Sequence, residues 1–166
     1  MRFLRLVIIS IIFFALIITI ISLFIPPHVR ISKAIQINRS KDSVMSQISD
    51  PANWKKWYPS ANAANFYYEN GFAKGLILDA AKHQYLVITN IKHDEVDAAY
   101  RLPRRTVATA WQLISAAGGN SVTVQWYMDF HLRWYPWEKF SSFMFEKLYG
   151  PQIQQGLDNL KTLVEK

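Results

Sequence analysis

The sequence predicts an α+β domain in which a curved antiparallel sheet of about seven strands wraps a long C-terminal helix, preceded by one N-terminal transmembrane helix. Three patterns carry that expectation. The N-terminus holds an unbroken apolar run, the middle a train of segments with period-two alternation, and the C-terminus a helical apolar stripe.

Between Leu6 and Ile25 only Ser10, Ala15, Thr19 and Ser22 fall outside the strongly apolar residues. About twenty residues at ~1.5 Å each reach across a hydrocarbon core of ~30 Å. The apolar region of a secretory signal is shorter, about 7–15 residues, and ends in small residues at a cleavage site. Here the run ends in Phe24-Ile25-Pro26-Pro27. It has no polar stripe, which argues against a buried core helix. Residues 1–27 therefore read as an anchor and residues 28–166 as one domain. Arg2 and Arg5 favour a cytoplasmic N-terminus with the domain on the extracytoplasmic side, an asymmetry that Arg30 and Lys33 weaken. The chain has no cysteine, which fits a disulfide-free domain on either side of a membrane.

The domain opens with Val29, Ile31, Ile35 and Ile37 on one face of a strand and Arg30, Ser32 and Gln36 on the other, with Lys33 as the misfit. Asn38-Arg39-Ser40 follows as a turn, with Ser40 placed to cap a short helix through Val44, Met45 and Ile48. Asp50-Pro51 starts another, which sets Trp54 and Trp57 on one side and stops at Tyr58-Pro59. Six strands are then expected at 66–69, 74–80, 84–91, 95–101, 106–115 and 121–132. Turn signals separate them at Asn70-Gly71, Lys92-His93-Asp94, Pro103 and Gly118-Gly119-Asn120. The last strand alternates most cleanly, with Val122, Val124, Trp126, Met128, Phe130 and Leu132 on its apolar face. A helix is expected from Trp137 to Tyr149, with a break or kink at Gly150-Pro151. Beyond it Ile153, Leu157, Leu160 and Val164 form the stripe of an amphipathic helix.

In order and spacing these features resemble the START / polyketide cyclase–dehydrase / Bet v 1-like (SRPBCC) superfamily, whose members share the helix-grip fold. The resemblance spans about residues 29–165. It rests on the opening strand, the segment Asp50-Pro51-Ala52-Asn53-Trp54-Lys55-Lys56-Trp57-Tyr58-Pro59, the pairing of Trp111 with Val122-Thr123-Val124-Gln125-Trp126, and Gly156-Leu157-Asp158-Asn159-Leu160-Lys161 in the last helix. It implies a cavity between sheet and C-terminal helix that receives a hydrophobic small molecule or lipid. Since the superfamily mixes carriers, sensors and enzymes, it implies no mechanism.

The residues themselves offer little catalytic chemistry. His28, His83, His93 and His131 do not fall at metal-ligand spacing, and neither a phosphate-cradling loop nor a nucleophile elbow is present. No metal or cofactor is therefore expected, and no catalytic residue is assigned. The formal net charge is +7, but its basic residues are dispersed along the chain, which speaks against nucleic acid as a partner. Asp129 and His131 share a strand face and would make an acid/base pair, but one turned toward solvent. Pocket candidates are Trp57, Tyr58, Tyr100, Trp111, Trp126, Met128, Phe143, Tyr149 and Gln154. Of these Tyr58, Tyr100, Tyr149 and Gln154 are the polar groups with which an enzyme of the cyclase or dehydrase type would work. Trp134, Tyr135, Trp137, Phe140, Phe143 and Phe145 exceed what one core face needs. They either bury against the sheet, frame the cavity mouth or meet a bilayer surface. The expected function is that of a membrane-anchored binder or carrier. An apolar-substrate enzyme and an interaction module with a vestigial cavity are the rivals.

Overall fold

Each segment of alternating hydrophobicity forms a strand, and all of them join one sheet. The computed structural model describes residues 2–59, 61–116, 118 and 120–166. The strands are β1 (His28–Ile37), β2 (Asn65–Glu69), β3 (Phe72–Asp79), β4 (Gln84–Ile91), β5 (Glu95–Leu102), β6 (Arg105–Ser115) and β7 (Val122–His131). They lie in the order β1-β7-β6-β5-β4-β3-β2, every pair antiparallel. From β2 to β7 neighbours in sequence are neighbours in space. At Asn70-Gly71 both residues take positive φ, which glycine adopts freely and asparagine more readily than most. Gly119, in the expected loop between β6 and β7, lies outside the described residues, but Ser115 faces Val122 where that hairpin closes.

Because β1 and β2 sit on opposite edges, the chain between them has to cross the sheet. Helices α2 (Lys41–Ser49) and α3 (Pro51–Trp57) form in that crossing. Asp50 caps α3 through its side chain, which accepts a hydrogen bond from the Ala52 amide at 2.9 Å. Ser40 occupies the cap position of α2 but makes no such bond.

The C-terminal helical region departs from the expected boundaries. After α4 (Pro136–Ser141) the chain tightens into a single 3-10 turn over Ser142–Met144, and α5 then runs unbroken from Phe145 to Glu165. Pro151 lies inside α5 and does not end it. Gly150 supplies the reason, since the residue before a proline is disfavoured in a helix partly through its own Cβ, which glycine lacks. The break falls where six aromatic residues crowd the stretch from 134 to 145, too many to lie on one helix face.

Helix α5 lies along β1 and runs in the same direction. Phe145 packs on Phe130 at the first end, and at the other Glu165 accepts the Asn38 amide at 2.7 Å while Lys161 donates to the Gln36 carbonyl at 3.0 Å. Lys33, the misfit of β1, extends past the bare backbone of Gly150 to pair with Glu146. At the other end of the chain, α1 (Arg2–Leu23) is long and apolar enough to cross a membrane, and of its residues only Ser22 is buried.

Candidate functional site

The concave face of the sheet is built by alternate residues of each strand. On β5 these are Val96, Ala98, Tyr100 and Leu102, on β6 Val107, Thr109, Trp111 and Leu113, and on β7 Val124, Trp126, Met128 and Phe130. Register sets Trp111 directly opposite Trp126, with ring centres 5.2 Å apart. Helix α3 lays Trp54 and Trp57 on that pair, at 5.4 and 5.9 Å from Trp111. The four indoles are 0–1% exposed. A side chain bordering a void wide enough for water would show accessible surface, so these rings interlock as core and frame no empty cavity.

Three of the four indoles have an acceptor for their N–H. Trp54 donates to the Ile48 carbonyl at 2.7 Å, Trp57 to the Gln47 carbonyl at 3.2 Å, and Trp126 to Thr109 Oγ1 at 2.8 Å. Thr109 passes its own proton to the Tyr127 carbonyl at 2.8 Å. Trp111 Nε1 is buried and has no partner among the described residues. A buried donor left unpaired costs about 1–3 kcal/mol, so the interior keeps one polar group unsatisfied in its middle.

Beside this packed end the face is less complete. Leu78, Tyr100, Leu102 and Tyr149 are half-buried and pack against the margin of the core. Tyr58 lies inward of it, packed on Trp126 at 5.4 Å and almost fully buried. Its hydroxyl makes no hydrogen bond among the described residues, and burial, with Tyr100 nearby, pushes it well above the usual phenol range. Tyr100 donates to Gln84 Oε1 at 3.2 Å and is raised by burial, then by Tyr149 and Asp79. The Tyr149 hydroxyl accepts from Arg105 at 3.4 Å, and its ring stacks on Phe130. Tyr58, Tyr100 and Tyr149 thus lead from the interior to the surface, and the raised Tyr58 and Tyr100 are neutral phenols at ordinary pH.

The other pocket candidates lie elsewhere. Met128 is buried in the row beside Ile31. Phe143 is 70% exposed, because the 3-10 turn rotates it off the buried face. Gln154 reaches outward to Asp158 Oδ1 at 3.0 Å and lines a surface groove with Lys33, Glu146 and Pro151. Leu78 and Leu102 belong to this half-buried margin although the sequence did not single them out. They sit at strand ends, where period-two alternation does not separate a core position from a rim one. The Asp129–His131 pairing does not form either: Asp129 takes both hydrogen bonds of Arg30, at 2.7 and 2.6 Å, and the His131 ring meets that of His28 at 3.8 Å. No cluster of metal-ligating side chains occurs among the described residues.

The sequence model of the family described as polyketide cyclase / dehydrase and lipid transport matches residues 28–165. The chain belongs to that family. The match takes in the whole of the sheet and all of α2 to α5. Solved structures share the architecture at low identity. A START superfamily protein from Mycobacterium smegmatis superposes with a TM-score of 0.58 at 16% identity, over 82% of this chain and 97% of that one. A protein of unknown function from Staphylococcus aureus gives 0.61 at 11% identity, over 83% and 94%. Norcoclaurine synthase from Thalictrum flavum, in complex with dopamine and hydroxybenzaldehyde, gives 0.61 at 13% identity, over 82% and 86%. At these identities the likeness establishes the helix-grip fold and nothing finer. No curated protein matches the sequence.

Proposed function

We propose that this chain is a membrane-tethered binder or carrier of a hydrophobic small molecule or lipid, which enters between α5 and strands β3 to β5. The observation that carries the reading is the half-buried apolar margin of Leu78, Tyr100, Leu102 and Tyr149 beside the packed interior, which we read as the ligand's mouth. Membership of a family that includes lipid-transport proteins supports it. So does α1, whose 22 residues suit a single span, with residues 1–27 as the tether and 28–166 as the binding domain.

The packed indoles define what binding has to do. A ligand gains about 25 cal/mol for each Å² of apolar surface it withdraws from water, but here it first has to displace something. Tyr58 is the plug. It stands outside helix and strand, just beyond α3, where its backbone bonds the Trp54 carbonyl and the Ala61 amide, while its hydroxyl makes no hydrogen bond among the described residues. Swinging it aside opens the mouth toward Trp126 and Trp111, and brings the unpaired Trp111 N–H within reach of a ligand oxygen. The protein then binds by shifting to an open state, at an affinity reduced by the cost of opening.

The test is to purify the full chain from membranes, extract it with organic solvent, and identify what is released by mass spectrometry. A stoichiometric apolar compound is expected, and Leu78→Asp, which puts a carboxylate at the mouth, should reduce it about tenfold or more. Recovery of nothing, or of the same compound in equal amount from the variant, would count against the mouth as the binding site.

A further inference from the structure

Where α1 meets the domain, α4 and the end of β7 form a single junction. The last turn of α1 packs on α4, the buried Lys139 donates to the Ile25 carbonyl, and the Leu132 amide bonds the Pro27 carbonyl at 2.7 Å. Two further features lie at this junction. One is apolar: Trp134, Trp137 and Phe143 are 66–70% exposed, with Tyr135 stacked on Trp137 at 4.9 Å. The other is a half-open pocket of about 430 Å³, where the β5–β6 turn brings Arg104 and Arg105 up to His131 and Arg133, with Glu138 as the one lining carboxylate.

These arginines differ from the seven of the domain's 17 Lys and Arg side chains that are ion-paired. Arg30, Lys33, Lys41, Lys74, Lys82, Lys92 and Lys161 each have a carboxylate within 4 Å. Arg104, Arg105 and Arg133 have none among the described residues; Glu138 instead accepts the Arg133 backbone N–H at 3.1 Å. Arg105 is fixed by lying over the rings of Phe130 and Phe145, at 5.7 and 5.4 Å. Like charges gathered and left without counter-ions are costly to hold together unless an anion joins them.

We propose that this pocket binds the phosphate of an anionic membrane lipid, with the exposed aromatics beside it seated at headgroup depth. The proposal rests on the reading of α1 as a bilayer span. A guanidinium fork matches phosphate oxygens two at a time, and Trp and Tyr favour the bilayer surface. A soluble phosphate compound would account for the arginines but leave the bare indoles around them unexplained. Arg105 also bonds Tyr149, so the headgroup site adjoins the mouth and gives an apolar ligand a path out of the bilayer.

The test reconstitutes the full chain in nanodiscs of mixed phosphatidylcholine and phosphatidylglycerol and counts the lipids each chain retains by native mass spectrometry. The wild type should keep phosphatidylglycerol in preference. Arg104→Gln with Arg133→Gln, which spares the aromatic seat of Arg105, should lower that retention about tenfold. Glu138→Gln, which removes the opposing charge, should raise it. Equal retention in all variants, or full displacement by millimolar inorganic phosphate, would overturn a lipid headgroup as the ligand. A chain that stays in the discs without preference overturns this site alone, whereas one that elutes apart from the discs overturns the membrane reading as well.

Discussion

Gly156 marks the point where α5 comes closest to the tryptophan cluster. A Cβ there would stand 2.4 Å from Trp126 Cζ3 and 3.1 Å from Pro59, so Gly156→Ala has to move an indole that is fully packed. The expected cost is about 1–3 kcal/mol, read as a lowered denaturation midpoint, and it should exceed any gain in helix propensity. Trp111 and Trp126 are matched in burial but differ in hydrogen bonding. Trp126→Phe gives up the bond to Thr109, whereas Trp111→Phe removes a donor that has no acceptor. Denaturation of both variants should find Trp126→Phe less stable, by about 1 kcal/mol. On the outer face Tyr127 donates to Glu95 at 2.6 Å, and burial with that bond raises the phenol to about 12. An unfolded tyrosine titrates near ~10, so this contribution to stability is whole below pH ~10 and is lost as pH rises toward ~12. Glu95 is lowered by the same bond and by Lys92, so its contribution holds above its unfolded value of about 4.3 and is lost as pH falls. Urea midpoints should therefore fall at both ends of the pH range, and Tyr127→Phe should reduce the alkaline fall, leaving the part due to Tyr58 and Tyr100.

The strands were legible in the sequence because one face of the sheet is buried and the other meets water, so burial alternates with the residue number. Strand β7 follows that rule over its whole length. The helices were less legible. The break or kink expected at Gly150-Pro151 does not end α5, since the glycine before the proline has no Cβ to oppose a helix there, and the break falls at Ser142–Met144 instead. A full helical turn of α5 precedes Pro151, so its missing N–H falls where an intrahelical bond would otherwise form. Pro151→Ala should restore that bond and raise the thermal midpoint, and an unchanged or lower midpoint would mean the proline ring is itself held in place. At the other junction, Lys139 satisfies a carbonyl just beyond α1. Replacing it by alanine should loosen the connection, and limited proteolysis of the full chain should then cut faster between Phe24 and His28.

At the scale of the whole molecule, the antiparallel sheet of about seven strands and the family resemblance followed from sequence, and the state of the interior did not. Alternation shows that Trp111 and Trp126 face inward, but it is silent on whether inward-facing rings line a space or fill it. That depends on how α3 and the segment after it cross the sheet, and the crossing has no period to read. The basic pocket was hidden for a similar reason, because Arg104 and Arg133 are far apart in the chain and meet only through the pairing of β6 with β7. The central claim is that an apolar ligand is held between α5 and strands β3 to β5. The most direct measurement is photo-crosslinking of the full chain in membranes with a diazirine-bearing fatty acid, with the adducts mapped by peptide mass spectrometry. Labels on the peptides carrying Leu78, Tyr100, Leu102 and Tyr149 are predicted, and labels confined to α1 and the α4 surface would contradict the claim.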